Sequence, residues 1–331
     1  MLTRRFLRRS AFALTAIVAA AGFTHLPSAQ AQSNPKITIA VPAYFKDGAD
    51  WDRVLDTAAV GWVVGHPDTP ADGNYKTDKE LADRLAAAKA KGKKTLVYVT
   101  AGFDKVSATV VADRVDSALA AYPGVDGVFL DEILYNECDK YKALANGSGS
   151  LKGIKARNPG KLVVLNPGAP MLACYKGLAD GYLNLERADA NVKEWLDNVK
   201  LPGNYSEYNW MFGSDIRPQM WQMVHSVPAD RMAAAADDAV SRNATVLYLT
   251  PELLPNPYDN LPSVSAWTAF VNRVNDYNAG KVALPPVLIL KAPSAAAATA
   301  PPTTKKATTT AKTTTKKKPV RKTVRKITKK G

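Results

Sequence analysis

From Lys36 to about residue 278 the chain alternates between two hydrophobic patterns. Short, nearly unbroken apolar runs rich in Val, Ile, Leu and Tyr mark strands buried on both faces. Eight are found, at residues 37–45, 60–66, 95–101, 127–134, 161–167, 181–186, 219–226 and 244–250. The segments between them carry helical spacing. In 78–91, Leu81, Leu85 and Ala88 recur at i, i+4 and i+7; in 106–121, Val110, Val111, Val115 and Leu119 share a side; 229–242 and 263–277 behave alike. The least regular stretch is 198–218, where Tyr205, Tyr208, Trp210, Met211 and Phe212 read either as a binding loop or as a loop packed onto the body.

Near-continuous apolar strands joined by helices imply a parallel sheet covered on both faces. Eight βα units in about 250 residues fit a closed (β/α)8 TIM barrel, in a single domain spanning 32–285. The alternative is an open doubly wound sheet. That fold's phosphate loop is missing: no GxGxxG or GxxxxGK[ST] follows the first strand, which ends Ala43-Tyr44-Phe45.

Composition changes the picture mainly at the ends. With 331 residues and 46% hydrophobic content the chain is neither wholly disordered nor collagen-like. Its net charge of +14 suggests a nucleic-acid binder until it is divided. Residues 1–31 hold four arginines and no acid, residues 303–331 hold twelve Lys and Arg and no acid, and 28 bases against 30 acids remain between. The body is near neutral, so a DNA-binding reading rests on the tail alone and no specific nucleic-acid partner is expected. Arg4, Arg5, Arg8 and Arg9 precede an apolar run from Ala11 to Phe23, and Ala29-Gln30-Ala31 offers a cleavage site, so 1–31 is expected to be a signal peptide cut after Ala31. The protein is then exported, to the periplasm, the cell surface or the medium, by the general or the twin-arginine route. No other stretch is long and apolar enough to cross a bilayer. Residues 286–331, an Ala/Thr/Pro/Lys series, lack the apolar content to offset chain entropy and are expected to be disordered. Such a polybasic tail suits an anionic cell-envelope polymer; the alternative is a solubilising extension. Cys138 and Cys174 are the only cysteines, without metal-ligand spacing, so no metal or cofactor is expected. In an oxidising compartment they form one disulfide or stay as two free thiols.

The reactive groups of a parallel barrel lie at the carboxyl ends of its strands. The fourth ends Val128-Phe129-Leu130-Asp131-Glu132 and the sixth Leu183-Asn184-Leu185-Glu186, placing acids in apolar settings. Tyr44, His66, Tyr98, Thr100, Asn166, His225, Tyr248 and Thr250 converge on the same mouth; among them Tyr44, Tyr98, Thr100, Asn166, His225 and Tyr248 are the substrate-binding candidates, with His66 weighed below His225. With one strand between them, the two acid-bearing ends lie within about 10 Å. Carboxylates at such spacing support glycoside hydrolysis, one attacking or stabilising charge and the other donating a proton. The catalytic candidates are Asp131 as nucleophile or charge stabiliser, Glu186 as general acid/base and Glu132 as a tuning neighbour.

The segment Gly124-Val125-Asp126-Gly127-Val128-Phe129-Leu130-Asp131-Glu132 resembles the signature of the spherulation-specific family 4 (spherulin 4-like) proteins, grouped with glycoside hydrolase family 135. Val41-Pro42-Ala43-Tyr44-Phe45 with Trp51, Tyr98-Val99-Thr100, Leu165-Asn166-Pro167-Gly168, Glu186, Leu249-Thr250, Asn256-Pro257-Tyr258 and Leu261-Pro262 follow in the family's order, over about residues 37–270. The resemblance implies a (β/α)8 fold, hydrolysis within galactosamine-containing exopolysaccharide, and catalytic acids at Asp131, Glu132 and Glu186. One departure is Gly65-His66-Pro67-Asp68-Thr69-Pro70-Ala71-Asp72-Gly73, where the family usually has Asn-Pro and a Gly-Pro-Gly turn; it bears on which polymer is bound. The expected function is an exported, endo-acting glycoside hydrolase. The alternative is a non-catalytic carbohydrate-binding surface protein.

Overall fold

The eight apolar runs become eight parallel strands that close on themselves, in the order β1 (Thr38–Ala43), β10 (Val246–Leu249), β9 (Met220–His225), β8 (Gly181–Ala188), β7 (Leu162–Leu165), β4 (Gly127–Asp131), β3 (Lys94–Thr100) and β2 (Val60–Gly65). β5 (Gly147–Ser148) and β6 (Leu151–Lys152) form a small antiparallel hairpin outside the barrel. This computed structural model describes residues 35–286 apart from 71, 150 and 200–204. The expected signal peptide in 1–31 lies outside the described residues, as does all of the expected tail except residue 286. The fold is a (β/α)8 barrel, and each barrel strand begins within two residues of the start that the apolar pattern predicts.

Helices α1 (Gly48–Asp56), α2 (Lys79–Ala90), α3 (Ala108–Ala121), α4 (Cys138–Asn146), α5 (Ile154–Arg157), α6 (Val192–Val199), α7 (Tyr205–Tyr208), α8 (Met232–Ser241) and α9 (Val264–Asn278) surround the strands. Their ends are set by local chemistry. The Asp78 carboxylate accepts from the backbone N–H groups of Glu80 and Leu81 to start α2, and Ser107 and Ser263 cap α3 and α9 in the same way. α2 buries Leu81, Leu85 and Ala88, the stripe read from its spacing. α3 buries Val111, Val115 and Leu119 but leaves Val110 exposed.

Inside the barrel Trp221 of β9 meets Trp62 of β2 at 5.0 Å and Phe129 of β4 at 6.3 Å between ring centroids, which plugs the interior below the mouth. Side chains alternate along a regular strand, so Asp131, two residues beyond Phe129, also points inward. β4 is shorter than predicted. It stops at Asp131 because Glu132 takes a left-handed backbone, φ 57°, and its neighbours bond sideways: Phe103 N–H donates to the Glu132 carbonyl and Ile133 N–H to that of Asn166. The apolar residues Ile133 and Leu134 thus belong to a loop rather than to the strand.

β8 contains a bulge. Leu183 pairs with Trp221, but the next partners along β9, Gln222 and Met223, face Leu185 and Glu186. Asn184 is therefore one residue extra. Cys138, at the start of α4, is disulfide-bonded to Cys174 in the 3-10 turn Ala173–Tyr175, with Cα atoms 6.0 Å apart. The bridge joins the connections that follow β4 and β7. The aromatic segment after α6 packs down: Tyr208, Trp210 and Met211 are buried, and the Trp210 indole donates to the Met171 carbonyl.

Candidate active site

At the carboxyl ends of the strands a cavity of about 480 Å³ opens. It brings together six of the nine catalytic and substrate-binding candidates: Tyr44, Tyr98, Asp131, Asn166, Glu186 and His225. His66, Phe129 and Met223 line it too, and the loop after β10 closes one side with Leu254, Pro255, Asn256, Pro257 and Tyr258. Among the described residues no lysine or arginine lines this cavity, so nothing neutralises its two carboxylates.

Those carboxylates are held by one amide. Asn166, just past the end of β7, donates through Nδ2 to Asp131 Oδ1 and to Glu186 Oε2, both at 2.6 Å. Two oxygens bound to the same nitrogen lie no farther apart than twice that length, about 5 Å, so the two carboxyl groups stand nearer the closer than the wider of the two spacings used by glycosidases. The amide cannot turn over, because its Oδ1 accepts from Gly168 N–H at 2.8 Å. Gly168 has φ +61°, and a Cβ there would stand 3.3 Å from Glu186 Cβ, so the turn that fixes Asn166 also sets the room allowed to Glu186. The other oxygen of Glu186 accepts from the Tyr258 hydroxyl at 2.5 Å.

The two acids are not equivalent. Burial, and after it the charge of Glu186, pushes the Asp131 carboxyl up to about 7, only partly opposed by the Glu132 backbone and by the Tyr98 hydroxyl that faces it. Glu186 accepts on both oxygens, from the Asn166 amide and from the Tyr258 hydroxyl. Burial raises the Tyr44, Tyr98 and Tyr258 hydroxyls further above the usual phenol value, reinforced by Asp131 at Tyr44 and Tyr98 and by Glu186 at Tyr258. They are neutral donors at any physiological pH. Their rings interlock: Tyr44 lies 5.9 Å from Tyr98, 5.6 Å from Tyr258 and 4.5 Å from the His66 ring. Burial lowers His225, whose Nδ1 lies 2.9 Å from Ser226 Oγ, so its imidazole is neutral near pH 7.

Three of the catalytic and substrate-binding candidates do not line the cavity, and neither does Thr250, which is fully buried. Glu132 is turned back by its left-handed backbone and accepts from the Thr100 hydroxyl over the end of β3. Thr100 is engaged in that bond and accepts from Gly102 N–H, so it supports Glu132 instead of facing the opening. Tyr248 is fully buried; Tyr258 folds back over it, ring centroids 5.9 Å apart, and occupies the position at the mouth. Tyr258 is the residue whose role the strand pattern does not reveal, because it comes from a Pro-flanked loop, and the only signal was its place in the Asn256-Pro257-Tyr258 segment. Phe129 and Met223 were recoverable from strand alternation alone.

Comparison with known proteins gives a consistent outcome. Residues 38–274 match the profile of spherulation-specific family 4. Spherulin-4 of Physarum polycephalum is 25% identical over 239 residues, covering 68% of this chain, and the chain spans 66% of that relative's length. Among solved structures, Aspergillus clavatus Sph3 in complex with GalNAc superposes with a TM-score of 0.55 at 22% identity, over 73% of this chain and 98% of that one.

Proposed function

The chain belongs to spherulation-specific family 4, and from that premise we propose that it is an exported glycoside hydrolase cleaving a galactosamine-containing exopolysaccharide. One observation carries the reading: a single amide clasps two carboxyl groups, one of which is pushed toward neutrality while the other is held by two donors. Glycosidases need this division of labour. Asp131 protonates the glycosidic oxygen as the leaving group departs. Glu186 attacks the anomeric carbon, and water activated by the Asp131 carboxylate then releases the sugar. This exchanges the roles expected from the sequence, Asp131 as nucleophile or charge stabiliser and Glu186 as general acid/base, because burial and the neighbouring Glu186 raise the Asp131 carboxyl. Glu132 acts from behind Thr100, and Tyr44, Tyr98, Asn166, His225 and Tyr258 bind the sugar. The short carboxylate spacing favours retention of anomeric configuration. The GalNAc bound to Sph3, together with the family resemblance, supports an amino sugar as the unit recognised.

Export rests on the signal in 1–31 and is supported by the Cys138–Cys174 bridge, which suits an oxidising compartment. Among the described residues no helix is long and apolar enough to cross a membrane. The deciding experiment compares wild type with Glu186→Gln on galactosamine polymers, acetylated and de-acetylated, by mass spectrometry of the fragments. Wild type should release oligosaccharides of retained configuration, and the variant should lose about a thousandfold or more in kcat with unchanged folding. Wild-type turnover in the variant sinks the proposal; binding without fragments from the wild type favours the carbohydrate-binding alternative.

A further inference from the structure

Glu186 points into the mouth although the simple alternation of β8 says that it should not. Trp221 and Met223 of β9 face inward, the first against Trp62 and Phe129 and the second lining the cavity. Their partners on β8 are Leu183 and Glu186, two positions apart on one strand and three on the other. In a regular strand Leu183, Leu185 and Arg187 would share the inner face and Glu186 would be directed at the helices. The extra residue, Asn184, restores Glu186 to the interior.

Asn184 is fully buried, yet it is tied down on its polar atoms. Its carbonyl accepts from the Trp195 indole of α6 at 2.9 Å, and its Oδ1 accepts from Gln222 Nε2 at 3.2 Å. Gln222, directed outward between Trp221 and Met223, is oriented in turn by Arg242, whose Nε donates to its Oε1 at 2.9 Å. All three side chains are at most 5% exposed. A buried arginine and two buried amides are costly on the outside of a barrel where apolar residues would pack as well. A polar chain that only filled space has no reason to end on the bulge residue. We propose that Asn184, held by Gln222 and Arg242, is a positioning residue: it stabilises the bulge in β8 that turns Glu186 toward Asp131 and Asn166.

The inference rests on the hydrolase reading of the site, and its test separates the two. Asn184→Leu keeps the volume and removes the bond from Gln222. Its kcat should fall about tenfold or more, with KM changed less, because misplacement of a reacting group by an ångström costs that much or more. In a Glu186→Gln background the same change should add almost nothing. Independently of turnover, the Asp131 carboxyl, followed by 13C NMR, should titrate lower in Asn184→Leu, since part of its upward shift comes from Glu186 nearby. Gln222→Met, which leaves Asn184 in place, should act in the same direction but less, and it serves if Asn184→Leu does not fold. Should Glu186→Gln abolish cleavage while both other variants keep wild-type kcat and an unmoved Asp131 titration, the positioning role is overturned. Should Asn184→Leu lower activity equally in the wild-type and Glu186→Gln backgrounds, its effect is one of general stability and the proposal is likewise overturned. If Glu186→Gln retains full turnover, the hydrolase reading itself fails, and the NMR titration alone then decides whether Asn184 governs the placement of Glu186.

Discussion

Asp131 works against its own charge. Its carboxyl is held near 7 in the folded chain against an ordinary 3.8, so the folded state keeps a proton that the unfolded state releases earlier. The sign follows directly. At pH 4 and below the native state carries no penalty from this group; as pH rises through the window from about 4 to about 7, stability declines, and above it the loss is complete. Asp131→Asn should therefore be more stable to urea than wild type at pH 8, by about 4 kcal/mol, with the difference vanishing near pH 4. Equal midpoints at both pH values would show that the carboxyl is not raised. The same shift predicts that kcat/KM falls on the alkaline side as Asp131 loses its proton. At this scale the sequence was informative about residue types: a pair of acids after an apolar strand, an asparagine and several tyrosines were all visible. It was silent on which acid is the crowded one, because that depends on Asn166 bridging residues 35 and 20 positions away in the chain.

At the scale of elements, the strands and the capped helices were legible because burial on both faces and 3.6-residue periodicity are local patterns. The ends of strands were not. β4 was expected to run on through Ile133 and Leu134, which are apolar and β-compatible, but the left-handed turn at Glu132 ends it. The loop after β7 shows why such turns matter. Gly168→Ala places a side chain at φ +61° and against Glu186 Cβ. We expect a stability loss of about 1–2 kcal/mol from the backbone alone, and a fall in kcat of about tenfold or more, larger than that stability loss explains. Chemical denaturation and steady-state kinetics on the one variant check both, and an unchanged kcat would mean that the turn does not govern Glu186. The bulge of β8 belongs to the same class of feature: an Asn in an apolar run is the only trace it leaves in the sequence, and that trace does not say which way the following glutamate points.

For the whole molecule, charge and chemistry are separated along the chain. The body carries 28 bases against 30 acids, whereas residues 303–331 add twelve positive charges. Removing residues 293–331 should leave turnover on soluble oligosaccharide unchanged but should lower retention on cells at low salt, with full-length and truncated proteins converging at high salt. Equal retention at low salt would dispose of the tethering role. By itself the sequence determined the barrel, the order of its strands and the acidic character of its mouth, since these follow from local periodicity, composition and the rule that parallel strands present reactive groups at their carboxyl ends. Only the tertiary structure decided the membership of the site: Tyr258 in place of Tyr248, Glu132 turned away with Thr100, and the Asp131 carboxyl raised by burial and by Glu186 beside it. Those outcomes depend on backbone turns and on pairings between residues far apart in sequence, where a shift of one position reverses the face a side chain occupies.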